Sequence, residues 1–420
     1  MKQTIYLGTL SAINIALSFL FQWHILTELG AGTESDAFFA GMTLPQLVLT
    51  VISGSLMYVL VPLLSGEKDK HLRHDAWGFF ILVGGAFGIL AILFFVTAKW
   101  WVPFTVPGFD ENGLELTVEL TRIQLVGMVF TAVNGVQLAT YHAKQQFIWA
   151  ESSVTFSNAT AFVLLFAFLP SYGVVAASWI NLFRMILQTL LLSPGMGRPL
   201  WPNLRAPAIQ SAWLRIKPLL LGAAYYKSDP LVDRYLLSTS GSGNLSLFYL
   251  AQQIYAAVNQ VLMKALATPL VPMLTRYYKE GNRLGFRQYY NKTLLRVLVI
   301  SFFGIFVLYL FGKPVLELLV GYGKIESSKV CDLWWIMIGL CGAFIGGAIG
   351  QVLSSFFYTI GDTKTPTLMS IVTFTIYIPC KIISYYSWGV FGLALITSAY
   401  QLLNCVIMAI IIERKPSPIK

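Results

Sequence analysis

The chain has 420 residues, of which 56% are hydrophobic and only 11% charged, with a mean hydropathy of +0.68 and a formal net charge of +10. Apolar runs of about twenty residues, the length that crosses a bilayer core about 30 Å thick, recur from end to end and leave no stretch for a separate soluble domain. The basic residues sit in short loops, so the charge reads as membrane topology and excludes nucleic acid as the partner.

Taken in order, the apolar pattern predicts an all-α polytopic membrane protein with twelve spans, at about 4–26, 36–64, 76–98, 116–140, 149–169, 172–192, 214–238, 244–274, 293–312, 331–360, 366–386 and 388–412. The first span resembles a signal peptide in hydropathy, but Thr27 and Glu28 make poor cleavage flanks, so it reads as retained. Asp36 opens the second span, where a carboxylate at a helix N-terminus is the plain expectation. Arg122 lies in the fourth span and Arg184 in the sixth. A Pro- and Arg-rich segment, 193–213, then links the two halves.

The seventh span departs from its surroundings. It carries Lys227, Asp229, Asp233 and Arg234 within eight residues, with Pro230 among them. A charge at the bilayer centre costs roughly 2.5–3.5 kcal/mol, so this helix must face protein or water. Lys227 and Arg234, seven apart, share one helix face, and Asp229 and Asp233 share another about 140° away. Pro230 removes the hydrogen bond to the Tyr226 carbonyl and predicts a kink. In the eighth span Gln253 and Lys264 lie eleven residues apart, within about 20° of one face, and Lys264 is expected mid-helix. The eleventh span carries Lys381.

With a cytoplasmic N-terminus, alternation places 18 Lys and Arg in inside loops and 4 in outside loops, which predicts cytoplasmic termini. Seven further cations fall within spans: Arg122, Arg184, Lys227, Arg234, Lys264, Arg296 and Lys381. The halves also repeat. Gly30-Ala-Gly-Thr and Gly241-Ser-Gly-Asn are 211 residues apart, Tyr58-Val-Leu-Val-Pro and Thr268-Pro-Leu-Val-Pro 210 apart, and Tyr172-Gly-Val-Val and Trp388-Gly-Val-Phe 216 apart. These offsets predict two six-helix bundles of parallel orientation around a central cavity, 1–192 and 214–412, with the linker between them and a tail at 413–420. Such an arrangement suits an alternating-access transporter.

Ser35-Asp-Ala-Phe-Phe-Ala-Gly-Met-Thr-Leu-Pro45 with Val61-Pro-Leu-Leu64, and Phe357-Tyr-Thr-Ile-Gly-Asp-Thr-Lys-Thr-Pro366, resemble signatures of the MviN/MurJ family of the multidrug/oligosaccharidyl-lipid/polysaccharide exporter superfamily. Val232-Asp-Arg-Tyr235 with Gly241-Ser-Gly243 is similar to the family's seventh-to-eighth helix region. The resemblance implies a flippase for a polyprenyl-linked saccharide in the bacterial inner (cytoplasmic) membrane, with membrane lipids and glycan-assembly proteins as partners and no cofactor. Two departures weigh against lipid II as cargo. The family's lipid II flippases carry fourteen helices, against twelve predicted here. Their arginines of helices 2 and 8 are replaced by Leu49/Thr50 and Gln253. The reading set first is therefore an undecaprenyl-diphosphate-linked O-antigen or exopolysaccharide unit, with lipid II the alternative and a multidrug/cation antiporter a further one.

The cations expected to hold the phosphates are Lys264, Arg122 and Arg184, with Gln253 and Asp36 beside them. The plain alternatives are a snorkelling lysine, an Arg122 at the interface beside Glu119, and a capping Asp36. Lys227, Asp229, Asp233, Arg234 and Lys381 are the candidates for gating or ion coupling, set against a structural salt-bridge knot. Some relatives are thought to hold sodium near the position of Tyr377 and Lys381. A fixed ammonium there makes proton or membrane-potential coupling the expectation over sodium. His24 reads as interfacial. Tyr225, Tyr226, Tyr249 and Tyr255 offer sugar-stacking or packing surface. No P-loop, HExxH or nucleophile elbow occurs, so an enzyme is not expected. Cys331, Cys341, Cys380 and Cys405 lack metal-ligand spacing and read as small buried hydrophobes.

Overall fold

The computed structural model describes residues 2–65, 69–201, 209, 212, 224–266, 270–321, 323–362 and 364–414. Every element among them is helical. In order these are α1 (Lys2–Leu29), α2 (Thr33–Leu64), α3 (Asp69–Thr105), α4 (Glu111–Ala143), α5 (Phe147–Met196), α6 (Asp229–Ser238), α7 (Asn244–Leu266), α8 (Leu270–Lys279), α9 (Arg283–Val320), α10 (Ser327–Gly339), α11 (Cys341–Thr359) and α12 (Lys364–Arg414). Most of the predicted linker and the first part of the predicted seventh span, 202–208, 210–211 and 213–223, lie outside the described residues, as does 415–420 of the tail.

Two runs are too long for one crossing. At 1.5 Å per residue, the 50 residues of α5 and the 51 of α12 would each reach about 75 Å, more than twice a bilayer core. Each is broken by a glycine with positive φ, Gly173 at φ 59°, ψ −154° and Gly389 at φ 61°, ψ −145°. These are the two predicted boundaries, 149–169/172–192 and 366–386/388–412, and they sit at matching places in the repeat. Gly30 and Gly241, the other paired landmark, also share positive φ, 81° and 98°. The internal duplication is therefore visible in backbone torsions and not only in sequence.

Of the predicted single spans, 244–274 is described as α7 and α8, with 267–269 outside the described residues. The span 331–360 is divided into α10 and α11, bent by 41°. Six described helices, or seven with that bent pair, are long and apolar enough to cross a membrane. The outward faces agree: Phe302, Phe303, Phe306 and Tyr309 on α9 are each more than half exposed, an apolar patch that lipid covers and water would not.

The chain divides into two compact units, Met1–Ser246 and Leu247–Lys420. In the first, α2, α3 and α4 enclose a core built on Leu60, Leu64, Phe79, Phe87, Leu125 and Met128. Gly41 makes this close approach possible, since a Cβ there would lie 3.1 Å from Thr121 Oγ1. In the second unit, α7, α8, α9, α11 and α12 surround Leu270, Leu274, Phe286, Val352, Phe356 and Phe357. The Gly361-Asp-Thr-Lys-Thr-Pro366 signature is structural here. Gly361 turns the chain at φ 75°, and Asp362 caps α12 by accepting from Thr365 N (3.0 Å) and Thr365 Oγ1 (2.7 Å).

Candidate functional site

The residues of the first unit that the sequence singled out meet where α2, α6 and the start of α7 come together. Gly243 precedes α7 and has no side chain to cap it. Asp36 does so from α2: its Oδ2 accepts from Gly243 N at 2.6 Å and its Oδ1 from Ser246 N at 2.7 Å. One carboxylate thus satisfies two backbone N–H groups and faces the positive end of a helix dipole. Asp36 lies in the first turn of α2, as expected, and its carboxylate serves a second helix: Ser35 Oγ accepts from Gly32 N at 3.0 Å at the start of α2, and Asp36 caps α7.

The repeat explains the arrangement and its asymmetry. Ser35 and Ser246 are equivalent, 211 apart, and each donates back to its own Gly32 or Gly243 carbonyl at 3.0 Å. They also touch each other, Oγ to Oγ, at 3.3 Å. The residue matching Asp36 in the second half is Leu247, so only one half supplies a carboxylate. Gly243 is obligatory here. It holds φ at 87°, and a Cβ would run into the Ala31 carbonyl. Gly243→Ala is expected to lower the midpoint of thermal unfolding by several degrees, as strain at such a position costs about 1–3 kcal/mol. An unchanged midpoint would show that the contact yields freely.

α6 carries the charges. The kink predicted at Pro230 takes the form of a break in the helix. The chain turns at Lys227-Ser228, and α6 begins at Asp229 with Pro230 in its first turn, where a missing N–H is harmless. Lys227 Nζ donates to the Thr50 carbonyl at 2.8 Å, and Arg234 Nε donates to Thr43 Oγ1 at 3.0 Å. Two cations seven residues apart thus meet two threonines seven residues apart on α2, in antiparallel register. Asp233 and Arg234 are buried, Asp229 and Lys227 partly so. The Arg234 guanidinium also acts electrostatically on the Asp36 carboxylate, tying the α6 charges to the α7 cap. A cavity of about 200 Å³ beside this cap is lined by Thr33, Asp36, Phe109, Asp110, Ser238 and Ser242. Gly108 N donates to Ser238 Oγ at 3.3 Å, docking the α3–α4 loop onto α6.

The other candidates are placed elsewhere. Arg122 meets the neighbouring helix: its Nε donates to the Phe95 carbonyl at 3.2 Å and its guanidinium lies 5.1 Å from the Phe95 ring centroid. Arg184 bonds Asn158 Oδ1 and Asn181 Oδ1, both at 2.8 Å. His24 stacks on Phe166 at 4.0 Å, an aromatic packing role. In the second unit Lys264 is exposed on α7, two residues before Leu266, the last described residue of that helix. Gln253 is partly buried on the same helix. Tyr255 donates to the Met337 carbonyl at 2.7 Å and stacks on Phe344, and Tyr249 is buried, so both pack. Tyr225 is exposed. Lys381 is wholly buried in α12, its Nζ 5.0 Å from the Tyr377 ring centroid. Cys380 is exposed, against the expectation of burial, while Cys405 is buried. No group of three metal-ligating side chains occurs among the described residues.

What sequence reasoning missed were the neutral partners: Ser35, Thr43, Thr50, Gly243 and Ser246. Only the Gly-rich repeat landmark hinted at them.

Comparison with known proteins gives consistent results. The family model described as lipid II flippase MurJ matches residues 25–419. A probable lipid II flippase MurJ of Bdellovibrio bacteriovorus is 21% identical over 96% of this chain and 79% of its own length. The lipid II flippase MurJ of Burkholderia cenocepacia is 24% identical over 83% and 71%. Among solved structures, a lipid II flippase MurJ in an inward closed conformation aligns at a TM-score of 0.84 and 17% identity, covering 98% of this chain and 88% of that one. A structure described as the inward-facing conformation of a multidrug resistance MATE family transporter of the MOP superfamily aligns at 0.76 and 16% identity, covering 97% and 96%. At such identities the structural likeness establishes the fold.

Proposed function

Because the chain belongs to the MurJ family, we propose that it is a flippase that carries lipid II from the cytoplasmic to the outer leaflet of a bacterial inner membrane. It is a membrane transporter and not an enzyme. The observation that carries the reading is the reach of the family match, which runs over residues 25–419. The O-antigen or exopolysaccharide unit set first on the missing arginines finds no support, since the matching flippases are lipid II flippases. The absence of arginine at Leu49, Thr50 and Gln253 then bears on how the diphosphate is held and not on which lipid is moved.

With both termini cytoplasmic, the Asp36 cap lies at the outer end of the first unit, and we read it as a latch on the outer side. Formed, it holds α2 and the start of α7 together. Released, it lets the saccharide leave. The α6 charges tune it through Arg234. Among the cation candidates, Arg122 is engaged by Phe95 and Arg184 by two asparagines. Lys264, whose side chain is exposed, is our candidate for a phosphate contact. Coupling is to the proton gradient or membrane potential, through the buried Lys381.

Complementation tests the reading. Expression of this chain in a strain depleted of its lipid II flippase is expected to restore growth, and in a strain lacking its O-antigen flippase to leave the surface glycan defect. The reverse pattern would return the first reading.

A further inference from the structure

Within the first unit, α1 presents a polar stripe, Asn14, Ser18 and Gln22, at four-residue spacing along one face. It meets Asn158, Asn181 and Arg184 of α5 around a cavity of about 40 Å³, closed elsewhere by Leu17, Phe21, Phe38 and Met42. The Arg184 guanidinium gives Nη1 to Asn158 Oδ1 and Nη2 to Asn181 Oδ1. Both partners are neutral. Its Nε is buried with no hydrogen-bond partner. Among the described residues the network reaches a carboxylate at Glu151, two asparagines away: Asn158 Nδ2 donates to Asn14 Oδ1 at 3.4 Å, and Asn14 Nδ2 to Glu151 Oε2 at 3.3 Å. A permanent cation, with a free N–H, therefore borders a small polar void inside a membrane bundle.

A buried charge is tolerated when an opposite charge and hydrogen bonds meet it. Further donors belong to residues that line the void. Besides Arg184 Nε–H, the bonds of Asn158 Nδ2 to Asn14 Oδ1 and Ser18 Oγ are long, 3.4 and 3.5 Å, and the Ser18 hydroxyl hydrogen can rotate toward the void. The Gln22 side-chain oxygen is buried without a partner, and turning that amide by 180° presents its NH₂ instead. The volume is a sharp filter. A cavity needs roughly 10–15 Å³ to hold one water-sized body, so about 40 Å³ admits a monatomic ion and excludes a diphosphate. We propose that the pocket formed by Ser18, Gln22, Asn158, Asn181 and Arg184 binds a single small monovalent inorganic anion, of the size of chloride. The site is separate from the latch and does not depend on the identity of the cargo. Bound there, the anion neutralises Arg184 and fixes α1 against α5.

Thermal unfolding of the purified full chain in sodium chloride, sodium bromide and sodium gluconate, at equal ionic strength, tests this. The midpoint is expected to stand several degrees higher in the two halides than in gluconate. Crystals grown in bromide should show an anomalous peak in the pocket. Arg184→Gln should erase the halide dependence. So should Gln22→Glu, which puts a carboxylate beside the guanidinium and keeps the bundle's own charge balance, and which decides the matter if Arg184→Gln does not fold. Arg276→Gln, at an exposed cation paired with Glu280, should leave the dependence intact. Equal midpoints in all three salts, or a pocket holding water and no bromide, would overturn the proposal. So would halide dependence that persists in Gln22→Glu.

Discussion

Asp36→Asn is expected to abolish rescue of a flippase-depleted strain while the protein still folds and reaches the membrane. The carboxylate accepts from Gly243 N and Ser246 N at 2.6 and 2.7 Å, and hydrogen bonds to a charged group contribute about 1.5–3 kcal/mol each. The amide keeps one acceptor, turns its NH₂ toward the other N–H, and removes the negative charge from the start of α7. A loss of about 2–4 kcal/mol follows, roughly a 30- to 1000-fold shift away from the latched arrangement. Leu245, wholly buried beside the cap, reports it. A cysteine at that position should react slowly with an impermeant thiol reagent in the parent and at least tenfold faster with Asp36→Asn. Arg234→Gln should produce a weaker version of the same change, because Arg234 supplies a counter-charge and the bond to Thr43. Parental labelling rates and full rescue with Asp36→Asn would show that the cap is static scaffolding.

Lys381→Met is the second substitution with a large expected effect. The ammonium is wholly buried in α12 and lies over Tyr377, whose hydroxyl is within 2.8 Å of Thr397 Oγ1 and whose ring stacks on Tyr400 at 4.2 Å. A desolvated cation–π contact contributes about 2 kcal/mol or more. Holding a charge at such depth is costly, which points to a use for it. Methionine keeps the length and apolar stem and removes the charge. Flipping of a labelled lipid-linked precursor in vesicles is expected to fall at least tenfold, with the protein still monodisperse. On the proposal that the tethered ammonium takes the place of a bound sodium ion, exchanging sodium for potassium should not alter the rate in the parent. Parental rates with Lys381→Met, or a sodium requirement in the parent, would remove Lys381 from the coupling mechanism.

The two substitutions differ in how far the sequence announced them. Lys381 was legible as an ion in an apolar run. Asp36 was legible only as a capping residue of its own helix, because N-cap preference is a local rule and its actual partner lies 207 residues away. The break at Lys227-Ser228 is hidden from the sequence for a related reason. A hydropathy window tolerates a break of a few residues, so a span reads through Lys227-Ser228 when the backbone does not.

By itself the sequence determined the membrane class, the helical content and the duplication. Apolar length, loop charge and paired glycines act locally, and Gly30/Gly241 and Gly173/Gly389 need only their own torsions to leave a mark at fixed offset. Tertiary structure alone decided which charges meet which groups. Arg234 finds Thr43, Lys227 finds a backbone carbonyl, Arg184 finds two asparagines, and Asp36 finds the N-terminus of α7. In a low-dielectric interior the partner of a buried charge is fixed by the packing of distant helices, and neutral hydroxyls and N–H groups leave no charge pattern for the sequence to show.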